Sequence, residues 1–197
     1  MPCAPEPRIS WNQPSRLMRI IAGEGRGTRL VTPRGRATRP TSDRAREALF
    51  SMLGDVSGLR VLDAFAGSGA LGLEALSRGA THAVFCETSG PALHALRENV
   101  ERLGWAGRCQ IARVSGLRRM EADARNGAAY DLILLDPPYT MLPALQPAFS
   151  LHLPVLLVPD GLAVVESPSA DPPLELGLEL DTTRTYGEAR VSLYRRG

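Results

Sequence analysis

The sequence predicts an α/β domain built on a doubly wound, mostly parallel sheet. Three observations carry that expectation. Short apolar runs alternate along most of the chain with stretches of helical period, the pattern of strands joined by crossover helices. One run, Asp131-Leu132-Ile133-Leu134-Leu135-Asp136-Pro137-Pro138-Tyr139, is continuously apolar, as a strand buried on both faces must be, and a proline pair stops it. Another run, Arg60–Phe65, opens into Ala66-Gly67-Ser68-Gly69, a glycine-rich turn into a helix.

The elements follow in order. Residues 1–17 are proline-rich and patternless and are expected to be disordered. Residues 18–31 read as two short strands around Gly23, Gly25 and Gly27, a glycine-rich hairpin. After an Arg/Pro loop over 32–40, Thr41 or Ser42 caps a helix to about Leu53, with Ala45, Leu49 and Leu53 as its apolar stripe. The 18–54 segment is the expected substrate side, and 55–197 the core of a single domain. The core starts with the Arg60–Phe65 strand and a helix from about Ala70 to Arg78 that stops at Gly79. A strand over His82–Glu87 leads to a helix with Pro91 in its first turn, lined by Leu93, Leu96, Val100 and Leu103 and ended by Gly104. Cys109–Ala112 is a third strand, and a short helix or loop spans about 115–124. Tyr130–Leu135 is the fourth strand, a helix lies near 141–151, and Gly161–Glu166 is the fifth strand. Residues 174–194 close the sheet as an antiparallel pair turning near Gly187.

Composition narrows the function. The chain has 197 residues, 44% apolar and 22% charged, which suits an ordinary globular domain. Its net charge of +2 is unevenly spread. Residues 1–46 hold ten of the 23 basic residues against three acids, +7, and the remainder is −5. Such asymmetry points to a polyanion at one end, with Arg19, Arg26, Arg29, Arg34, Arg36, Arg39, Arg44 and Arg46 as candidate phosphate ligands. With aromatics at 5%, a broad stacking platform is not expected. Cys3, Cys86 and Cys109 have no disulfide or zinc spacing, and His82, His94 and His152 form no cluster, so no metal is expected. No secretory or membrane-spanning run is present. The expected compartment is the cytoplasm, and the expected state a monomer.

Two constellations carry chemistry. In the first, Asp63, Phe65, Gly67, Ser68 and Gly69 surround a βα turn, and Glu87 ends the next strand. An acid there accepts hydrogen bonds from ribose hydroxyls. The glycine spacing is not that of a dinucleotide site, and Asp63 would repel a pyrophosphate. It suits a cationic ligand, and so S-adenosylmethionine. In the second, the Asp136 carboxylate and the Pro137 carbonyl can each accept one N–H of an exocyclic amine. That aims the nitrogen at a methyl donor, while Tyr139 stacks on the base.

These residues resemble one family, the RsmD-type small-subunit rRNA guanine-N2 methyltransferases. The matching blocks are Met18–Gly23 with the following Gly-Arg-Gly, Arg39-Pro40-Thr41-Ser42-Asp43-Arg44-Ala45-Arg46-Glu47-Ala48-Leu49-Phe50, Asp63 through Ser77, and Asp136–Tyr139. The resemblance spans about 18–195 and implies a Rossmann-like class I methyltransferase with a seven-stranded sheet and an N-terminal hairpin and helix. It also implies methylation of 16S rRNA or the small ribosomal subunit, at guanine 966. Where such enzymes often carry an Asp or Asn toward the adenine, this chain has Ser115. The Asp-Pro-Pro-Tyr motif also admits a DNA adenine-N6 or cytosine-N4 methyltransferase. A third reading is a non-enzymatic RNA-binding assembly factor.

Overall fold

A computed structural model describes residues 18–33 and 43–197. The expectations for residues 1–17, for Thr41 and Ser42 as caps, and for Arg34, Arg36 and Arg39 lie outside the described residues.

The predicted alternation is present. α1 (Asp43–Leu53) precedes β1 (Arg60–Asp63), α2 (Ala70–Ser77), β2 (His82–Cys86), α3 (Gly90–Leu103), β3 (Cys109–Ala112), α4 (Gly116–Arg125) and β4 (Tyr130–Leu135). Then come α5 (Leu142–Leu156), β5 (Leu157–Pro168), β6 (Glu179–Tyr186) and β7 (Ala189–Arg195). The strands form one sheet in the order β3-β2-β1-β4-β5-β7-β6. The first five pair in parallel, and β7 joins β5 and β6 antiparallel. One core half packs Leu73 and Leu76 of α2, Leu96 and Val100 of α3, and Leu49 and Phe50 of α1 against one sheet face. The other packs Met120 of α4 and Leu145, Phe149, Leu153 and Leu156 of α5 against the opposite face. Covering both faces is what lets the central strands be apolar throughout.

Three elements differ from expectation. The 18–31 segment is a hairpin, its arms joined by the Ile20 N–H to the Thr28 carbonyl at 3.0 Å and the Leu30 N–H to the Met18 carbonyl at 2.8 Å, but the pairing amounts to one bridge, Arg19 to Arg29, in place of two full strands. Toward the tip its N–H groups turn to α2: Ile21 and Ala22 donate to the Glu74 carboxylate, at 2.7 and 3.0 Å, and Gly25 donates to Ser77 Oγ at 2.9 Å. Donors that serve α2 are lost to the pairing of the arms, which therefore stops short of the tip. Second, α5 runs to Leu156 through Pro147 and Pro154. Burial of Phe149, Leu153 and Leu156 outweighs the hydrogen bonds the prolines remove. Third, β5 begins at Leu157, ahead of an irregularity in its register with β4, where Asp160 adopts a φ of 61°.

The order of the strands reverses direction between β1 and β4. Open α/β sheets bind ligands outside the carboxyl ends of the strands at such a switch point. Both constellations lie there: Asp63 ends β1, and Asp136 follows the last residue of β4.

Candidate active site at the switch point

Asp63 ends β1 paired to Phe85 of β2 on one side and Leu134 of β4 on the other. It is 1% exposed, and its Oδ2 accepts the Gly72 N–H at 3.0 Å. Burial pushes its carboxyl up to about 7, against hydrogen bonds from the Gly72 and Phe65 N–H groups that pull it down. Asp63 thus lies beneath the turn and ties it to α2. Gly72 permits this closeness: a Cβ there would sit 2.4 Å from the Phe85 ring.

The turn spends its donors internally. Gly67 N–H donates to Glu87 Oε2 at 3.0 Å, and Gly69 N–H to the Ala66 carbonyl at 2.6 Å. The other Glu87 oxygen accepts the Thr88 and Ser89 N–H groups, each at 2.6 Å. With the Gly67 and Gly69 N–H groups so engaged, and a carboxylate at Glu87 on the same turn, the site disfavours a pyrophosphate, unlike a dinucleotide site. Glu87 is half-buried, and a carboxylate offers about four acceptor positions, so it retains capacity for hydroxyl donors. A Cβ at Gly67, where φ is 54°, would meet nothing within 4 Å, so space is open over the turn. Two carboxylates at the turn, Asp63 and Glu87, fit a ligand with a ribose and a cationic end. Glu87 would hold the ribose, and Asp63 would balance the charge from below.

Phe65 is half-buried and meets Phe149 edge-on, with ring centroids 6.2 Å apart. Ser115 caps α4, its Oγ accepting the Arg118 N–H at 3.4 Å. The hydroxyl proton remains to be donated. Gly116 brings this cap against the β1 turn, since a Cβ there would lie 2.2 Å from the Ala64 carbonyl oxygen. Ser68 donates to Met18 Sδ at 3.6 Å.

Across the switch point, Asp136 is half-buried, Pro137 buried and Pro138 exposed. The half-buried Tyr139 begins a 3₁₀ turn and donates its hydroxyl to Glu166 Oε1 at 3.1 Å. The ring is therefore held at both ends, by packing against the α5 side of the core and by Glu166.

The arginines divide. Arg26, Arg29 and Arg44 are exposed, and Arg19 is 62% exposed beside Asp43. Arg46 corrects the expectation of a surface phosphate ligand, for it is fully buried. Its Nη2 donates to the Arg19 carbonyl at 2.9 Å and to Asp43 Oδ1 at 2.6 Å. The sequence carried a sign of this. Arg46 stands three and four residues before Leu49 and Phe50, which places it on the buried stripe. Leu53, expected on that stripe, is only partly buried.

Four further polar residues escaped sequence reasoning. Glu74, inside an otherwise apolar helix, is fully buried and also binds Arg78 Nε at 2.7 Å. Ser77 Oγ donates to the Ala22 carbonyl. Asn99 is fully buried, in the stripe with Leu96 and Val100. Its Oδ1 accepts the Val31 N–H at 2.7 Å, while Nδ2 donates to the carbonyls of Val31 and Ser68 at 3.0 and 2.9 Å. Asn99 thereby ties the arginine-bearing 18–33 segment to the turn after β1. The fourth is Glu166.

A groove of about 430 Å³ at the start of β3, lined by Arg97, Glu101, Cys109 and Ile111, opens at the other end of the sheet, away from these groups. No helix among the described residues is long and apolar enough to cross a membrane.

Comparison with known proteins finds relatives that span most of the chain. The family model described as Conserved hypothetical protein 95 matches residues 18–195. The chain is 35% identical over 182 residues to Ribosomal RNA small subunit methyltransferase D of Escherichia coli (strain K12), covering 91% of this chain and 90% of that one. It is 34% identical over 160 residues to the protein of the same name from Haemophilus influenzae, covering 79% and 81%. A solved structure of a hypothetical protein from Thermus thermophilus superposes with a TM-score of 0.76 at 34% identity, covering 89% of this chain and 97% of that one.

Proposed function

We infer that this chain, which belongs to the Conserved hypothetical protein 95 family, is an S-adenosylmethionine-dependent rRNA methyltransferase acting on the N2 amine of one guanine of 16S rRNA, guanine 966 by family resemblance. One observation carries the reading. The turn after β1 and the Asp136-Pro137-Pro138-Tyr139 run leave the carboxyl ends of adjacent parallel strands, at the sheet's switch point.

S-adenosylmethionine supplies the methyl group as an electrophile when bound. Glu87 accepts its ribose hydroxyls, Asp63 neutralises its cationic end through the turn, and Ser115 hydrogen-bonds the adenine. Phe65, Gly67, Ser68 and Gly69 shape the turn. Asp136 and the Pro137 carbonyl each accept one N–H of the amine, so its lone pair points at the donor carbon. Tyr139, its hydroxyl fixed by Glu166, presents a ring of set orientation for the base to stack on. The proton released after transfer passes to Asp136 or to solvent. No Cys or Ser stands beside the motif as a nucleophile, which favours direct transfer without a covalent enzyme intermediate. Arg19, Arg26, Arg29 and Arg44, with Arg34, Arg36 and Arg39, supply phosphate contacts.

The test is transfer of labelled methyl to small ribosomal subunits from a strain lacking this gene, with duplex DNA in parallel and the product nucleoside identified by mass. N2-methylguanosine at a single rRNA position supports the reading. A methylated adenine or cytosine in DNA overturns the rRNA assignment while sparing the role of Asp136. Absence of cofactor binding leaves the assembly-factor reading.

A further inference from the structure

Glu166 lies where a guanine would be told from other amine-bearing bases. The register pairs Leu134 with Val164 and Leu135 with Val165, so the next residues, Asp136 and Glu166, stand side by side. Neighbouring strands are about 4.8 Å apart. Side chains alternate along β5. Val164 belongs to the core half of α1 and α2, and Val165 to the half of α5. Glu166 therefore returns to the α1 side, as Asp63 does two residues after Val61. It is 9% exposed, and its Oε1 holds the Tyr139 hydroxyl at 3.1 Å. A carboxylate at the site mouth is thus oriented by the ring that would carry the base, next to the carboxylate that would hold the amine.

The amine-bearing bases differ beside the reacting nitrogen. Guanine has an N–H at N1, adjacent to its N2 amine. Adenine N1 and cytosine N3, adjacent to their amines, are lone-pair acceptors. A carboxylate accepts hydrogen bonds and donates none when ionised. It rewards the guanine edge and repels the other two. A site built to hydrogen-bond one N–H discriminates strongly against a base that lacks it.

We propose that Glu166 is a specificity-determining residue that accepts the N1–H of the target guanine while Asp136 and Pro137 hold the N2 amine. The assignment rests on the methyltransferase reading above and names the feature of the base that the site selects.

The experiment uses the full chain and small subunits reconstituted with 16S rRNA carrying either guanine or 2-aminopurine at the methylated position. 2-Aminopurine keeps the amine but has an unprotonated N1. The wild type is expected to favour guanine in kcat/KM by roughly tenfold to a hundredfold, the worth of one hydrogen bond to a charged acceptor. Glu166→Gln keeps an oxygen for Tyr139 but exchanges an acceptor for a donor. It is expected to lower kcat/KM on guanine by a similar factor and to bring the ratio of the two substrates near one. S-adenosylhomocysteine affinity should not change. Tyr139→Phe keeps the Glu166 carboxylate but removes the hydroxyl that orients it, so it should weaken the preference for guanine without bringing the ratio of the two substrates to one. Equal losses on both substrates in Glu166→Gln would overturn the proposal, leaving Glu166 only as the holder of Tyr139. Equal wild-type kcat/KM on the two substrates would overturn it without any variant. Absence of wild-type transfer to guanine would overturn the methyltransferase reading itself, and this assignment with it.

Discussion

Replacing Asn99 with leucine tests how firmly the arginine-bearing segment is built onto the cofactor side. The leucine side chain branches at the same carbon but offers no polar atom. Three backbone groups lose their partner: the N–H and carbonyl of Val31 and the carbonyl of Ser68. The two at Val31 are partly buried, and water can replace the lost bonds at about 1 kcal/mol each. The bond to Ser68 is buried, and an acceptor left unpaired there costs about 2 kcal/mol. The sum is about 4 kcal/mol, within the stability of an ordinary domain. At roughly 2–4 °C per kcal/mol for a chain of this size, the melting temperature falls by roughly 8–16 °C. Thermal unfolding followed by circular dichroism measures that drop, and amide exchange at Val31 locates it. S-adenosylhomocysteine affinity should also fall, because the Ser68 carbonyl belongs to the cofactor turn. A melting temperature within about 2 °C of the wild type, with Val31 still protected, would refute the reasoning.

Asp136→Ala should abolish methyl transfer, by at least roughly a hundredfold, and leave cofactor affinity nearly unchanged; equal loss of both would make Asp136 structural. Gly23→Ala should loosen the same segment from α2, because the added Cβ would lie 1.6 Å from the Ser77 carbonyl oxygen at a φ of 80°. The expected loss is about 2–4 kcal/mol, and an unshifted guanidinium midpoint would contradict it. Asp63 predicts a pH dependence. Its carboxyl titrates near 7 in the folded chain against 3.8 unfolded, so the folded state holds the extra proton between those values. That contribution to stability is complete below the unfolded value and is lost as pH rises through 7. A cationic cofactor favours the ionised form, so its binding at about pH 6 should release a proton, and its affinity should rise by up to about tenfold per pH unit toward 7. Calorimetry in two buffers of different ionisation enthalpy reads the proton directly; identical heats would rule it out.

Local pattern alone determined most of the frame. β4 stands where its apolar run had placed it, because a strand buried on both faces writes itself as an unbroken run. Pro91 and Gly104 marked the ends of α3 because fixed and positive φ values act within one or two residues. The turn after β1 and the Asp-Pro-Pro-Tyr run were legible for the same reason, since each is contiguous. Their convergence at the switch point is a consequence of sheet order, which the alternation of elements implied.

The tertiary structure decided which polar residues turn inward. Asn99 meets Val31 across 68 positions, and Glu74 meets Ile21 across 53. No local window contains both partners. Arg46 shares the stripe of Leu49 and Phe50, but what its guanidinium meets there, the Arg19 carbonyl beside Asp43, is set by the fold. Glu166 acquires meaning only from a register that sets β5 beside β4 and from the Tyr139 hydroxyl, 27 residues away. Periodicity reports which face of its own element a residue occupies. What waits on that face, a chain end, a carbonyl or another carboxylate, is set by pairings that only the folded sheet brings together.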